Sequence, residues 1–535
     1  MTKSVLILGA GLMQEPAILA AKKLGFKTFV IDANPNAQSV PLADVFKQID
    51  LKDKEEILIY AGELFHKENL CGVFTAGTDF SVSVSYVASS LKLPCHDYEA
   101  ALNASIKPRM RRCFEQSSVP SPKYFSLTGK DFSYEKISFI TESLGYPCVV
   151  KPADNMGARG CRMIRNKSEV FTASKIACEN SKSQTIIIEE FMQGPEYSID
   201  ALVYNGTMTI TGFADRHIYY PPYFIETGHT MPSTVDWKIK KELIECFALG
   251  VKALGLTCGA AKADIKYTKN GPQIGEIAAR LSGGYMSGWT YPYSSDLNLT
   301  EQALLIATGH EPKQLLSKRI HLAASNEAFE LYEVPSKKVS AERAWISIPG
   351  KIKNIEGIEN ALRVKNIENV FPRSVHAGDE IDFPRNNVQK CGNAISLSKD
   401  YNQAVKAAEN ACSKMIIRLE ANNLMTEDFL NNGQEEDEKG FPPNAYSNYE
   451  KVCELDLQGT IPSNKSILKD IEPFIYELLD TPQKDWNYLT ALETCRRFDL
   501  YMPNHPELPK ARFWKALFKG GLQAAIYVSD SCADI

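Results

Sequence analysis

The first hundred residues alternate two kinds of hydrophobic pattern. Short apolar runs, SVLILGAG (4–11), FKTFVIDANP (26–35) and CGVFTAG (71–77), read as strands. Between them, MQEPAILAAKKLG (13–25), KEEILIYAGELFHKE (54–68) and DFSVSVSYVASSLKL (79–93) carry apolar positions at helical spacing. Strand and helix in strict alternation predict a doubly wound parallel sheet. From about 105 to 310 helices mix with hairpins, marked by the turn signals Asn205-Gly206 and Asn270-Gly271. Residues 320–425 are rich in strands (AWISIPGKI, GDEIDFP, NAISLSKD), and a helix is expected across DYNQAVKAAENACSKMIIRLEANN (400–423). NNGQEEDEKGFPPN (431–444) is polar, acidic and punctuated by Pro and Gly, which reads as a linker. The remaining residues look mostly helical.

A chain of 535 residues is too long for one core and suggests about three or four domains. The expected division is 1–104, 105–315 with a mobile lobe over about 120–188, 316–428, a linker at 429–445, and a helical tail at 446–535. The formal net charge of −5 gives no global reason to bind nucleic acid or an anionic membrane. No apolar run nears the roughly 20 residues that span a bilayer, and MTKSVLILGAG reads as a first strand, not a signal peptide. Thirteen Cys without a CxxC pair favour reduced thiols and a cytoplasmic protein over a disulfide framework or a zinc site.

Three stretches carry chemistry. Gly9-Ala10-Gly11 follows a strand and opens a helix, with Asp32 downstream, but Gln14 stands where a dinucleotide fingerprint needs its third glycine. A tight turn, a nicotinamide site, or a loop offering helix N–H groups to a small anionic substrate all fit, the last with Gly11 and Gln14 as candidates. Thr75 to Asp79 ends the third strand at the same carboxyl edge. VVKPADNMGARG (149–160) leads β-branched residues into Lys151 and a two-glycine loop suited to an anion, although no Gly-Lys-Ser/Thr closes it. In AKADIKYTKNGPQIGEIAARLSGG (261–284), a three-residue loop Lys269-Asn270-Gly271 would set Asp264 opposite Glu276. Opposed carboxylates destabilise a hairpin unless a cation sits between them, one is protonated, or both are solvated. Hard oxygen donors point to Mg²⁺, with Mn²⁺ as a substitute. The same register puts Lys262 opposite Ala278 and Arg280 just beyond.

These elements, in this order over roughly residues 1–425, resemble the ATP-grasp superfamily. NASIKPRMRRCFEQSSVPSP is similar to the family's helix headed by a phosphate-contacting lysine, here Lys107. The resemblance implies that Lys151 and the loop from Gly157 to Gly160 hold ATP phosphate. In IIIEEFMQGPEYSIDAL it implies that Glu189 takes the adenine amino group, Phe191 and Met192 flank the base, and Glu196 binds ribose. It implies Asp264 and Glu276 as Mg²⁺ ligands and Arg280 on the transferred phosphate, with Arg280 and Lys151 as the catalytic cations. The family's Glu-x-Asn is here Glu276-Ile277-Ala278, so one metal ligand is lost.

The implied fold is α/β and α+β: an N-terminal doubly wound parallel sheet, an ATP-grasp fold, a mixed β-rich C-terminal subdomain and an extra helical tail. The implied activity is ATP-dependent joining of a carboxylate to an amine or a thiol through an acyl phosphate. Amino-acid ligases are the nearest group by the ETGH stretch and the 345–420 region. A bicarbonate-using carboxylase and a catalytically impaired ATP-binding sensor or assembly subunit remain open. Arg216, Glu226 and His229, from TGFADRHIYYPPYFIETGHTMPS, are candidates to face the acceptor substrate, with Gly11, Gln14, Asp79, Ser282 and Gly283 around them. Expected partners are small-molecule carboxylates and amines, with no nucleic acid and no membrane; a homodimer is left open.

Overall fold

A computed structural model describes residues 2–533 other than 323–327, 374, 432–438 and 470. The strands Ser4–Leu8, Lys27–Asp32, Val45–Gln48 and Leu70–Phe74 form a parallel sheet in the order third, second, first, fourth. Strand alternation splits the first strand between two layers. Val5 and Ile7 join the core with Ala17 and Ile18 of the helix Glu15–Lys23, while Leu6 and Leu8 join Ile57 and Val87 on the other face. The short, half-exposed strand Val45–Gln48 lies outside the sequence expectation, because an edge strand carries little apolar pattern.

A small antiparallel sheet follows, built from Tyr124–Thr128, Thr185–Glu190, Cys148–Pro152 and Arg162–Ile164 and backed by the helices Tyr134–Leu144 and Val170–Glu179. It faces a ten-stranded sheet that includes Glu196–Tyr204, Thr207–Tyr219, Ile225–Met231 and the hairpin Gly259–Thr268/Gly271–Ala278. Val339–Trp345 pairs with Ile225–Met231, so strands from beyond residue 316 extend the same sheet. The expected α/β and α+β organisation is the one observed.

The hairpin reaches its register by an unexpected route. Thr268 pairs with Gly271, so the loop is the two residues Lys269-Asn270, not three. A bulge at Gly275 then restores the offset, and Asp264 faces Glu276 and Lys262 faces Ala278. The helix expected over 400–423 ends at Cys412. Ile416–Leu419 is instead a strand against Gly350–Glu356, as its β-branched residues prefer.

The expected linker falls partly on 432–438, outside the described residues. Its flanks are fixed: Leu424–Asn431 is helical, and Phe441, Ala445 and Tyr446 are buried. They belong to one core that runs from Trp345 and Ile348 to Phe518 and Val528, so the tail is fused to the β-rich subdomain. Asn487 both donates to and accepts from the backbone of Ile346, and Gln523 accepts from the Ile348 N–H. These bonds complete an otherwise unpaired strand exit. No helix among the described residues is long and apolar enough to cross a membrane.

Candidate active site

The helix Lys107–Gln116 has Pro108 in its first turn and places Lys107 and Arg111 one turn apart on the buried face. Lys107 Nζ lies 3.1 Å from Glu276 Oε1 and donates to Asn155 O in the glycine loop. Arg111 Nε donates to Glu189 Oε1 at 2.7 Å, and its Nη2 donates to the carbonyl of the bulged Gly275. One helix therefore ties the acidic hairpin, the glycine loop and the strand Thr185–Glu190 together. Arg111 was not among the sequence candidates; its spacing from Lys107 was the available signal.

Lys151 Nζ is 2.6 Å from Glu189 Oε2. Both Glu189 oxygens are thus engaged by cations, on the residue expected to take an adenine amino group. Burial raises the Glu189 carboxyl, but Arg111 and Lys151 outweigh it and keep the group ionised. Glu196 is likewise held, by Arg216 and by Lys266 at 3.4 Å, so the acid assigned to ribose is also paired. Lys266 Nζ donates to Met192 O and lies over the Phe191 ring, which stacks on Phe224. Phe191 and Met192 thus stand together beside a cation.

Gly157 and Gly160 both take positive φ, and a Cβ on Gly160 would come within 2.8 Å of Asn180 Cβ. The loop turns Arg159 N–H and Cys161 N–H inward, onto its own carbonyls. It also touches the β-rich subdomain: Asn387 N–H donates to Gly157 O, while Asn387 Oδ1 accepts from Glu226 N–H.

Burial raises the Glu276 carboxyl, yet Lys107, Lys151 and Lys262 prevail and hold it at about 2. Opposite it, Asp264 Oδ2 lies 2.5 Å from Lys262 Nζ and 3.1 Å from Arg216 Nη1. Among the described residues no cluster of three or more His, Cys, Asp or Glu is arranged to hold a metal. Two opposed oxygen donors suit one hard cation that takes its remaining ligands from phosphate and water. They do not suit a second ion, since Ala278 offers no donor and Lys262 occupies its side.

Arg280 Nε and Nη2 both bond Asp79 Oδ1 at 2.8 Å. This brings the end of the fourth N-terminal strand to the hairpin, and Asp79 serves as a counter-ion. Three other candidate substrate contacts have protein neighbours. Gln14 is fully buried and exchanges two hydrogen bonds with the backbone of Ala76. Ser282 donates its N–H and Oγ to Asp200, and Gly283 packs on Gly77. Gly11 has open space around its Cα.

Arg216, Glu226 and His229 do meet, on paired strands. Arg216 Nη2 is 2.9 Å from Glu226 Oε2, and His229 Nε2 is 3.6 Å from the same oxygen. His229 Nδ1 bonds Glu342 Oε2 at 2.9 Å, which leaves Nε2 buried without a hydrogen-bond partner among the described residues. Lys390 donates to Glu226 O. Burial raises the Glu226 carboxyl, but His229, Arg216 and Lys390 hold it well below the usual range. Glu342 and Lys390 come from distant strands and loops and carried no sequence signal. A side chain at Gly284 would approach Glu226 Oε1, so the glycine keeps this pocket open.

Residues 144–288 match the model of the ATP-grasp domain, and residues 344–420 match L-amino acid ligase C-terminal domain 2. An uncharacterized protein of Sinorhizobium fredii, y4rH, is 22% identical over 357 residues, covering 66% of this chain and 69% of its own. Carnosine synthase 1 of Mus musculus is 23% identical over 335 residues, covering 58% of this chain. The chain spans only 40% of that enzyme's length. The crystal structure of an L-amino acid ligase from Bacillus licheniformis superposes with a TM-score of 0.65 at 17% identity, over 78% of this chain and 100% of that one.

Proposed function

We propose that this chain, an ATP-grasp protein whose main sheet continues into an L-amino acid ligase C-terminal module, is an ATP-dependent carboxylate–amine ligase. Its substrates are amino acids or similar small metabolites, and it works through an acyl phosphate. The observation that carries this reading is the meeting of Lys107, Lys151 and Arg280, each on an acid, around the opposed pair Asp264 and Glu276.

Phosphoryl transfer needs positioning and neutralised charge more than a protein nucleophile. Lys107 and Lys151 hold the ATP phosphates under the glycine loop. Asp264 and Glu276 would hold one Mg²⁺, which, when bound, neutralises phosphate charge. A substrate carboxylate oxygen attacks the terminal phosphorus, ADP leaves, and Arg280 balances charge on the equatorial oxygens. The ammonium loses a proton to solvent, the neutral amine attacks the acyl carbon, and phosphate departs as the C–N bond forms and nitrogen gives up a second proton to solvent. Ionised Glu226 accepts a substrate ammonium, Arg216 takes a substrate carboxylate, and His229 Nε2 serves either. The lobe at about 120–188 closes over the reactants.

The test is Mg²⁺-dependent ADP release against amino acids singly and in pairs, with bicarbonate and small carboxylates included and Glu276→Gln as the control. Release that needs one carboxylate and is lost in the control supports the ligase. Release with bicarbonate alone would replace it by a carboxylase. ATP binding without release under any condition would sink catalysis.

A further inference from the structure

Away from this cleft, the helix Tyr401–Cys412 and the tail helix Ala491–Tyr501 border a second opening of about 370 Å³. Its acids are committed. Glu409 Oε2 holds Lys484 Nζ at 2.7 Å, and Glu493 closes the capping box on Thr490. Its other cations are not balanced. Lys406, Lys414 and Arg496 line the opening with no acid in ion-pair contact among the described residues. Among the described residues, Arg497 beside them donates only to a backbone carbonyl, Ser413 O, at 3.2 Å. Burial and neighbouring Arg497 push the Lys414 amine down, and burial lowers Arg497 as well. Like charges left facing each other are unfavourable, and an anion between them removes the penalty. The size suits a small molecule, and the net charge of −5 argues against a long polyanion.

The floor of the opening is Tyr488, a non-glycine residue at φ 69° whose Oη lies 3.5 Å from Thr227 O. Thr227 follows Glu226 on the strand Ile225–Met231. We infer that this cleft is a regulatory site for a small multivalent anion, a phosphate ester or polycarboxylate, whose binding is transmitted through Tyr488 to the strand that bears Glu226 and His229. Nothing in the proposed catalytic cycle uses these cations.

Calorimetry on the full chain, with the ATP site filled by a non-hydrolysable analogue and Mg²⁺, tests the site with inorganic pyrophosphate and with citrate. One anion per chain is expected, weakened roughly tenfold or more in Lys414→Ala and Arg496→Ala. These two variants leave the Arg497–Ser413 contact intact, so folding is preserved. The stronger probe tells phosphate from carboxylate chemistry. No binding by either, or binding indifferent to both variants, overturns the site. The regulatory half rests on the proposed ligase activity and is read as a shift in the amine KM with the anion present; binding with no shift overturns it. Calorimetry needs no turnover, so failure of the ligase reading stays distinguishable.

Discussion

Lys262 Nζ stands 2.5 Å from Asp264 Oδ2, and Lys262 pairs across the hairpin with Ala278, so a positive charge rises from the residue opposite the one where the strand lacks a metal-ligating amide. An ammonium and a metal ion compete for the same carboxylate. With a non-hydrolysable ATP analogue, titration of Mn²⁺ followed by electron paramagnetic resonance is expected to give one tightly bound ion per chain. The Lys262→Ala/Ala278→Asn double variant is expected to take up a second. Two ions in the unaltered protein would show that Lys262 gives way.

Arg111 and Glu189 form an ion pair in which both side chains are almost fully buried. Removing Arg111 leaves the buried Glu189 with Lys151 alone of its two cations, and breaking a buried pair costs up to about 3–5 kcal/mol. Arg111→Met is therefore expected to lower the denaturant midpoint strongly. Adding Glu189→Gln should restore part of the loss, because Lys151 is then the charge to be solvated and it is the more exposed. A double variant less stable than Arg111→Met alone would mean that the Lys151 ion pair by itself keeps Glu189 satisfied.

Asn387 joins the glycine loop to the acceptor strand with one residue, its N–H on Gly157 O and its Oδ1 on Glu226 N–H. Asn387→Asp keeps an acceptor and should hold the strand; Asn387→Ala loses it. In Asn387→Ala we expect a several-fold rise in the KM of both ATP and the acceptor. Limited proteolysis within 154–160 should also accelerate, as the loop spends longer open. A change in the acceptor KM alone would show that the Asn387 backbone keeps its place on Gly157 O without the side-chain bond to Glu226.

Much of this site is legible in the sequence because its key pairs are local. Asp264 and Glu276 lie on one hairpin, and a turn signal between two strands sets their register closely enough that a misjudged loop and an unforeseen bulge at Gly275 cancel. Glu226 and His229 share one strand and so meet one neighbourhood. What the pattern cannot convey is the partner from afar. Arg280 finds Asp79 from another sheet, and Glu189 is claimed by Arg111 through tertiary packing. Gln14, read as a loop donor, is drawn inside to bond Ala76. The tail reads as a separate helical unit because its apolar faces do not reveal that they close on Trp345 and Ile348.

Asp200 sits fully buried beside the site, its Oδ2 accepting Ser282 N–H and Oγ–H while Oδ1 has no hydrogen-bond partner among the described residues. Burial lifts its carboxyl from 3.8 to about 6, against the opposing pull of the Ser282 bonds and of Lys262 and Arg280. A raised acid is protonated more readily in the folded chain than in the unfolded one. Stability contributed by this group is therefore greatest below about pH 4 and falls as pH rises to about 6, above which a constant penalty remains. The shift corresponds to roughly 3 kcal/mol at most. Asp200→Asn cannot ionise, and its Oδ1 can still accept from Ser282. The difference in unfolding free energy between variant and parent should thus grow in the variant's favour from pH 4 to pH 6 and level off by pH 7. Denaturant titrations at matched pH measure that difference directly, and common titrations elsewhere cancel. A variant less stable than the parent at pH 8 would mean that Asp200 is ionised and paired with Lys262 or Arg280, which would make it a working part of the charged cleft.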